Sequence, residues 1–322
     1  IKQTITSLEN DSNEYINNIN LMIDSPKMFS IGISLSKKFD GYELKQKNIQ
    51  FLVQEAKQQI SKHYANYNIA HIIINNYKVD GIDYSYFPGE IKCDFISLDI
   101  LFICLPSELI AFYKKIFSKS NILIDQIICS SYAKSINYKD NLNISGHVLF
   151  IDVGFNKTSI ISYFNDKILS LDVLPIGGNH ITNDISKILD IDLERSEQLK
   201  YNYDHNLKSL NDVDISIDIL EKIISARTEE ILELSSKCMK SNSYLFDKFK
   251  MVLMGEGSKI LDNQYKDKIY FSNDIDFLEE TLEDICQSGF KYSAGLNKQE
   301  VVVVPKKHSN QGFFEKLFHL FK

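Results

Sequence analysis

The spacing of apolar positions along the chain predicts an α/β protein of alternating helices and strands. In the first half, apolar residues at helical intervals predict helices at residues 13–22, 48–63, 107–117 and 130–136. Strand-type alternation and short apolar runs predict strands at residues 28–34, 69–77, 91–105 and 122–129. The pattern starts again after residue 146, with strands predicted at 148–153, 159–164 and 249–253 and helices at 181–189, 193–201, 219–239 and 276–286.

The composition is that of an ordinary globular protein. Of 322 residues, 44% are hydrophobic and 25% charged, and the length fits two lobes or one large α/β domain. The formal net charge of -7 argues against a general nucleic-acid binder. Neither a signal peptide nor an apolar run long enough to span a membrane is visible. The first residue is Ile rather than Met, so we expect the sequence to begin partway through its gene.

Cysteine and arginine usage adds two expectations. The five cysteines lie far apart, without the spacing of a metal site, so we expect free thiols and a reducing, cytosolic compartment. Lysine supplies nearly all of the positive charge, because Arg195 and Arg227 are the only arginines. Their scarcity directs attention to both positions.

A predicted hairpin carries the first candidate phosphate-binding element. Asp152-Val153-Gly154 ends a buried-type strand, and Thr158 and Ser159 begin the return strand. A glycine lets backbone N–H groups approach a phosphate, and an aspartate can hold a metal ion through water. An ordinary β-hairpin has the same pattern, so both interpretations stay open.

Three further elements come later in the chain. Gly177-Gly178 precedes a predicted helix, whose N-terminus is suited to ribose or phosphate. Glu197 and Lys200 share one helix face, where they flank a nucleoside or form a simple surface pair. Gly255-x-Gly257-Ser258 comes after a predicted strand and allows an adenine to approach the backbone. Each signal is weak alone, and their order is what indicates a nucleotide site.

The last eleven residues, 312–322, form an amphipathic helix pattern after a polar linker at 297–311. At 100° per residue, six apolar side chains fall within an arc of roughly 160°. They are Phe313, Phe314, Leu317, Phe318, Leu320 and Phe321. The segment is shorter than the about 20 residues that span a bilayer, so we expect it to lie in the membrane interface. Weak single-copy anchoring favours self-assembly, and a helix that docks on the protein's own core or on a partner is the alternative.

The order of these motifs resembles the actin/Hsp70 ATPase superfamily, and within it the FtsA family of bacterial cell division. The matching segments are "ILIDQIICSSYAKSI" (122–136), "VLFIDVG" (148–154), "LPIGGNHITNDISKIL" (174–189), "ERSEQLK" (194–200), "ISARTEEILEL" (224–234) and "MVLMGEGSKI" (251–260). The resemblance implies an α/β, actin/Hsp70-like ATPase fold with an FtsA-type 1C subdomain and a C-terminal amphipathic helix. It places subdomain 1A at 1–35 and 121–145, 1C at 36–120, 2A at 146–185 and 250–296, and 2B at 186–249.

Three departures from the family pattern bear on the nucleotide. FtsA proteins open with a hairpin that carries a first phosphate loop, and the first 40 residues match the family's segment after that hairpin. The second loop has Phe155, Asn156 and Lys157 where glycines are usual, and Glu256 replaces a glycine of the adenine loop. Lys157 is placed to offset phosphate charge. We therefore expect weakened ATP binding and, at most, a weak actin-like ATPase activity.

The resemblance implies ATP with Mg²⁺ as the ligand and assigns no catalytic residue. It places Asp152, Gly154 and Thr158 at the phosphates, Gly177, Gly178 and Asn179 at ribose and phosphate, Glu197 and Lys200 at the nucleoside, and Gly255, Gly257 and Ser258 at the adenine.

The function implied is that of a scaffold on the cytoplasmic side of the cell membrane at the division site. FtsA proteins polymerise, bind lipid through the terminal helix, hold the C-terminal peptide of FtsZ on subdomain 2B, and recruit later divisome proteins through 1C. Arg227 stands where FtsA carries an FtsZ-contacting arginine; an ion pair with Glu230 is the alternative role.

Three alternatives stay open. A PilM-like actin homologue of pilus assembly shares the 1C-type unit but lacks the detached Phe-rich terminus. A sugar kinase of the superfamily needs an intact glycine-rich loop, which this chain lacks. A remnant that binds partners but no nucleotide is a variant of the FtsA interpretation.

Overall fold

The computed structural model describes residues 1–203, 216–242, 249–260 and 274–295. Its helices are α1 (Lys2–Ser12), α2 (Gln46–His63), α3 (Ser107–Ser118), α4 (Ser130–Asn141), α5 (Gly178–Leu189), α6 (Leu193–Tyr201), α7 (Ile217–Asn242) and α8 (Leu282–Ser293). Its strands are β1 (Asn18–Ile23), β2 (Phe29–Lys38), β3 (Glu43–Leu44), β4 (Tyr67–Val79), β5 (Ile82–Tyr84), β6 (Ile91–Lys92), β7 (Phe95–Pro106), β8 (Leu123–Cys129), β9 (His147–Val153), β10 (Thr158–Phe164), β11 (Lys167–Leu174), β12 (Lys250–Met254) and β13 (Asp274–Phe277). A 3₁₀ turn covers Glu256–Ile260.

An antiparallel four-stranded sheet of order β2-β7-β4-β5 dominates the first half of the chain. Strand β7 is apolar at alternate positions, so Leu98, Ile100 and Phe102 face the core that α2 covers. Leu101 and Ile103 face the opposite core, against β8 and α4. Both faces of the strand are buried here, which explains why its second half reads as a continuous apolar run.

A five-stranded sheet of order β11-β10-β9-β12-β13 forms the second half. Strands β9, β10 and β11 are an antiparallel meander, whereas β12 runs parallel to both β9 and β13. In β9, Leu149, Ile151 and Val153 pack under α7, while Val148 and Phe150 join the core shared with β8 and α4. Asp152 shares the second face, which places its carboxylate toward α4.

The parallel pair β1–β8 connects the two halves. Ile23 of β1 and Ile128 of β8 lie in the same core as Phe150 of β9 and Val252 of β12. The ends of β1 and β9 are consequently held near each other by one hydrophobic core.

Two predicted helices are wrong. The sequence pattern predicts a helix at 13–22, but the helix in this region is α1, which ends where Asn13 takes a left-handed conformation with φ 56°. The alternating Ile19, Leu21 and Ile23 form strand β1, which pairs with β8. The helix predicted at 276–286 begins six residues later, because Thr281 caps α8 by accepting a hydrogen bond from the Asp284 amide. The strand predicted at 91–105 is two strands, β6 and β7. The other predicted helices and strands are confirmed, with ends that shift by a few residues.

The predicted linker at 297–311 and the terminal helix at 312–322 lie outside the described residues, including all six apolar residues assigned to the membrane face. In the part of the chain that is described, no helix is both long and apolar enough to cross a bilayer. The subdomain boundaries stay a prediction.

Candidate functional site

The glycine motifs meet at the carboxyl ends of β9 and β12. These strands are parallel, with Met254 opposite Asp152, so the segments that come after them leave the sheet at the same edge. The turn 154–157 after β9 lies against the start of α5, where the Gly178 amide donates to the Gly154 carbonyl at 2.9 Å. A Cβ on Gly257 would lie 2.8 Å from the Val153 carbonyl oxygen. The predicted glycines thus form one cluster.

The glycines of this cluster are required by contacts between protein segments. A Cβ at Gly177 would lie 2.4 Å from the Gly154 carbonyl oxygen and 2.7 Å from the Lys157 amide nitrogen. Gly255 has a φ of +89°, and a Cβ there would lie 2.4 Å from an oxygen of Asp152. The backbone segments are therefore packed against one another without room for side chains.

The first amides of α5 are used within this cluster. The Gly178 and Asn179 amides donate to the carbonyls of Gly154 and Phe155 at 2.9 and 2.8 Å. Free N–H groups at a helix N-terminus make a phosphate site, and here the loop carbonyls already accept from two of them. The Thr158 hydroxyl is also engaged, since it donates to the Ile176 carbonyl at 2.8 Å.

Glu197 and Lys200 lie together on α6, as predicted, but they bind within the protein. The Lys200 ammonium is buried and donates to the Glu197 carboxylate at 2.5 Å, the Thr182 hydroxyl at 2.7 Å and the Gly178 carbonyl at 3.1 Å. Burial raises the pKa of Glu197, but hydrogen bonds from Lys200 and Thr182 outweigh it, so the pKa is lowered. These contacts fasten α6 to the start of α5. Thr182 was not among the predicted site residues.

Asp152 belongs to a buried charge network that we did not predict from the sequence. The Lys134 ammonium on α4 lies 2.9 Å from Asp152 and 3.0 Å from Glu280. Glu280 also accepts hydrogen bonds from the Gly255 amide at 2.6 Å and from the Tyr138 hydroxyl at 2.8 Å. Lys134 thus joins the end of β9 to the loops around β12 and α8.

Lys157, in the loop after β9, forms a second buried ion pair across the molecule. Its ammonium lies 3.0 Å from Asp24, which comes directly after β1. Asp24 also accepts from the Cys129 thiol at 3.0 Å and the Ser131 amide at 3.1 Å. Burial raises the pKa of Asp24, but the Lys157 charge and the hydrogen bond from the Cys129 thiol lower it by more. The net effect is a pKa below the ordinary value. Asp24 carried no sequence signal.

The residues predicted to lie at the adenine form the turn after β12, and two of them, Gly255 and Gly257, belong to the glycine cluster. The Ser258 hydroxyl donates to the Gly255 carbonyl at 2.7 Å, which closes the turn after β12. Glu256, the residue that replaces a glycine, is exposed and paired with Lys259 at 2.9 Å. Its carboxylate is therefore directed to solvent.

Arg227 lies on α7, away from the glycine cluster. Its guanidinium binds Asp184 of α5 at 2.7 Å and Glu230 at 2.5 Å, and a quarter of the side chain is exposed. The ion pair with Glu230, given above as the alternative role, is present in the structure. The role in peptide binding stays a prediction.

The residues at this edge do not fit a nucleotide phosphate as they are arranged. Lys134, Lys157 and Lys200 each have a protein carboxylate within 3.0 Å, and the first α5 amides are occupied by loop carbonyls. Across the described ranges, no group of three or more His, Cys, Asp or Glu side chains is arranged to hold a metal ion.

Comparison with known proteins finds that this chain is similar to FtsA cell-division proteins. Residues 149–300 match the family described as "Cell division protein FtsA". The cell division protein FtsA of Buchnera aphidicola subsp. Acyrthosiphon pisum is 23% identical over 95% of this chain and 82% of its own length. That of Agrobacterium fabrum is 19% identical over 81% of this chain and 62% of its own length. That of Bacillus subtilis is 30% identical over 38% of this chain and 30% of its own length.

A solved structure supports the fold. The chain superposes on a structure described as a PilM-PilN type IV pilus biogenesis complex with a TM-score of 0.63, covering 92% of this chain and 82% of that one. The sequence identity is 14%, so this likeness concerns the fold alone.

Proposed function

We propose that this chain, an FtsA-like protein with an actin-like ATPase fold, is a cell-division scaffold that tethers FtsZ filaments to the inner face of the cytoplasmic membrane. The observation that carries the proposal is the similarity to proteins named cell division protein FtsA, which in one case extends over 95% of the chain. Self-polymerisation and recruitment of later division proteins belong to the same proposal. No residue is assigned a catalytic role.

Membrane attachment in this proposal is peripheral and uses the apolar face of residues 312–322. Six large apolar side chains on a segment too short to span a bilayer support an interfacial helix. Several copies side by side would strengthen a contact that is weak for one.

Sedimentation with liposomes tests the tether. FtsZ is mixed with liposomes in the presence and absence of this protein, and we expect FtsZ to pellet only when the protein is added. If the protein pellets while FtsZ stays in solution, the membrane anchor stands and the FtsZ receptor role is rejected. If neither pellets, the tether is rejected.

Arg227→Glu is expected to weaken binding of the FtsZ C-terminal peptide by at least about 1 kcal/mol, because the planar guanidinium suits a peptide carboxylate or carbonyl. Titration of a labelled peptide, followed by fluorescence anisotropy, measures the affinity. Arg195→Glu on α6 makes the same change of charge and serves as the control. Equal affinities of the Arg227 variant and the unmodified protein would place the peptide site elsewhere.

A pilus-assembly role like that of a PilM-type protein is the second candidate. The TM-score of 0.63 to the PilM-PilN structure favours it as far as the fold goes. The Phe-rich terminus distinguishes the two, because the pilus-type interpretation needs no membrane helix at this position. Failure of the protein to pellet with liposomes would therefore favour the pilus-assembly role.

A further inference from the structure

The contact between Lys157 and Asp24 joins segments that are 133 residues apart. Lys157 stands in the turn between β9 and β10, and Asp24 lies directly after β1. Their side chains are 13% and 8% exposed, so the pair is shielded from solvent. An ion pair at 3.0 Å in such a place is a fixed structural contact rather than a mobile surface one.

Asp24 is also held as an anion at the start of a helix. Besides Lys157 and the Cys129 thiol, its carboxylate accepts a hydrogen bond from the Ser131 amide, in the first turn of α4, at 3.1 Å. A carboxylate at this position satisfies an N–H group that has no partner within the helix and interacts favourably with the helix dipole. Asp24 thus binds both a helix N-terminus and a lysine, and these are two elements that commonly hold a phosphate group.

The turn 154–157 is also held on its other side, by hydrogen bonds to α5. The carbonyls of Gly154 and Phe155 accept from the first amides of α5, and the Gly154 amide donates to the Lys157 carbonyl at 2.9 Å. The turn 154–157 therefore contacts α5 through its backbone and Asp24 through the Lys157 side chain.

We propose that Lys157 and Asp24 form a built-in cross-bridge that joins β1 and the β9–β10 turn in the place of a nucleotide phosphate, so that this protein keeps its folded arrangement without ATP. The carboxylate of Asp24 supplies the anion, and Lys157 supplies the cation that spans to it. The proposal concerns the nucleotide alone and stands whether or not the protein binds FtsZ.

A double-mutant cycle tests the cross-bridge in the full chain. We expect Asp24→Asn and Lys157→Met each to lower the melting temperature, measured by circular dichroism, by at least about 5 °C, because each leaves one buried polar group or charge without its partner. The double variant should lose clearly less than the sum of the two single losses. Lys259→Met, which removes an exposed pair with Glu256, is the control and should change the melting temperature little.

Calorimetric titration with ATP and Mg²⁺ provides the second arm and needs no variant to fold. We expect no saturable heat and no rise in the melting temperature of the unmodified protein. Saturable binding of ATP by the unmodified protein would overturn the proposal, because the position occupied by the cross-bridge would then be open to a phosphate. Strictly additive losses in the double-mutant cycle would overturn it as well.

Discussion

Lys134→Met is expected to lower the free energy of unfolding by about 3–5 kcal/mol, the usual cost of breaking a buried ion pair by removing one partner. The Lys134, Asp152 and Glu280 side chains are 5%, 8% and 4% exposed. Without the ammonium, two carboxylates would stay buried close to each other. Urea denaturation followed by circular dichroism measures the change, as a lower midpoint with an unchanged slope.

Two comparisons sharpen this experiment. Lys237→Met removes a solvent-exposed pair with Glu233 on α7 and should change the free energy of unfolding little. Adding Asp152→Asn and Glu280→Gln to Lys134→Met removes the uncompensated charges, so part of the stability should return. If Lys134→Met lowers the free energy of unfolding no more than Lys237→Met does, the buried network does not stabilise the fold as its burial indicates.

The pH dependence of the network depends on the pKa of its lysine. Burial lowers the pKa of Lys134, but the charges of Asp152 and Glu280 outweigh burial and raise it above the ordinary value of 10.5. A raised pKa in the folded state means that the stabilisation is complete below 10.5 and is lost only as the pH rises through the folded value. The network therefore keeps its full contribution at neutral pH.

The elements that sequence reasoning predicted well are those whose burial pattern is strong and local. Helix α2 buries Leu52, Val53 and Ala56 on one face, so its apolar spacing is clear from the sequence. Strand β1 has the opposite character. Its side chains are mostly half-buried, and its strand conformation depends on pairing with β8, which is about 105 residues later. No local window contains that information.

The residues of the candidate site also fall into those that the sequence predicted and those that it did not. Glycines that come after parallel strands are expected at one edge of a sheet, and the structure places Gly154 and Gly257 together there. The charged partners were missed, because Lys134 and Glu280 are 146 residues apart and Asp24 comes after a strand without a distinctive motif. A lysine in a helix next to small and apolar residues resembles a solvent-exposed lysine until the fold shows which face is covered.

Deletion of residues 312–322 is expected to reduce liposome binding to the level seen without lipid. Each large apolar side chain contributes about 1.5–3 kcal/mol when fully buried, and six of them share one face of the predicted helix. Sedimentation with liposomes of mixed zwitterionic and anionic lipids, quantified by gel densitometry, measures the bound fraction.

A chain whose last eleven residues are scrambled keeps the composition and length but loses the apolar face, and it is the matched control. We expect it to behave like the deletion, since interfacial binding depends on segregating apolar from polar side chains along the helix. A folding control by circular dichroism on both variants separates loss of binding from loss of structure. If the folded deletion variant sediments with liposomes as well as the unmodified protein, then lipid contact arises elsewhere on the chain, and the terminal segment is left with a docking role on the protein or a partner.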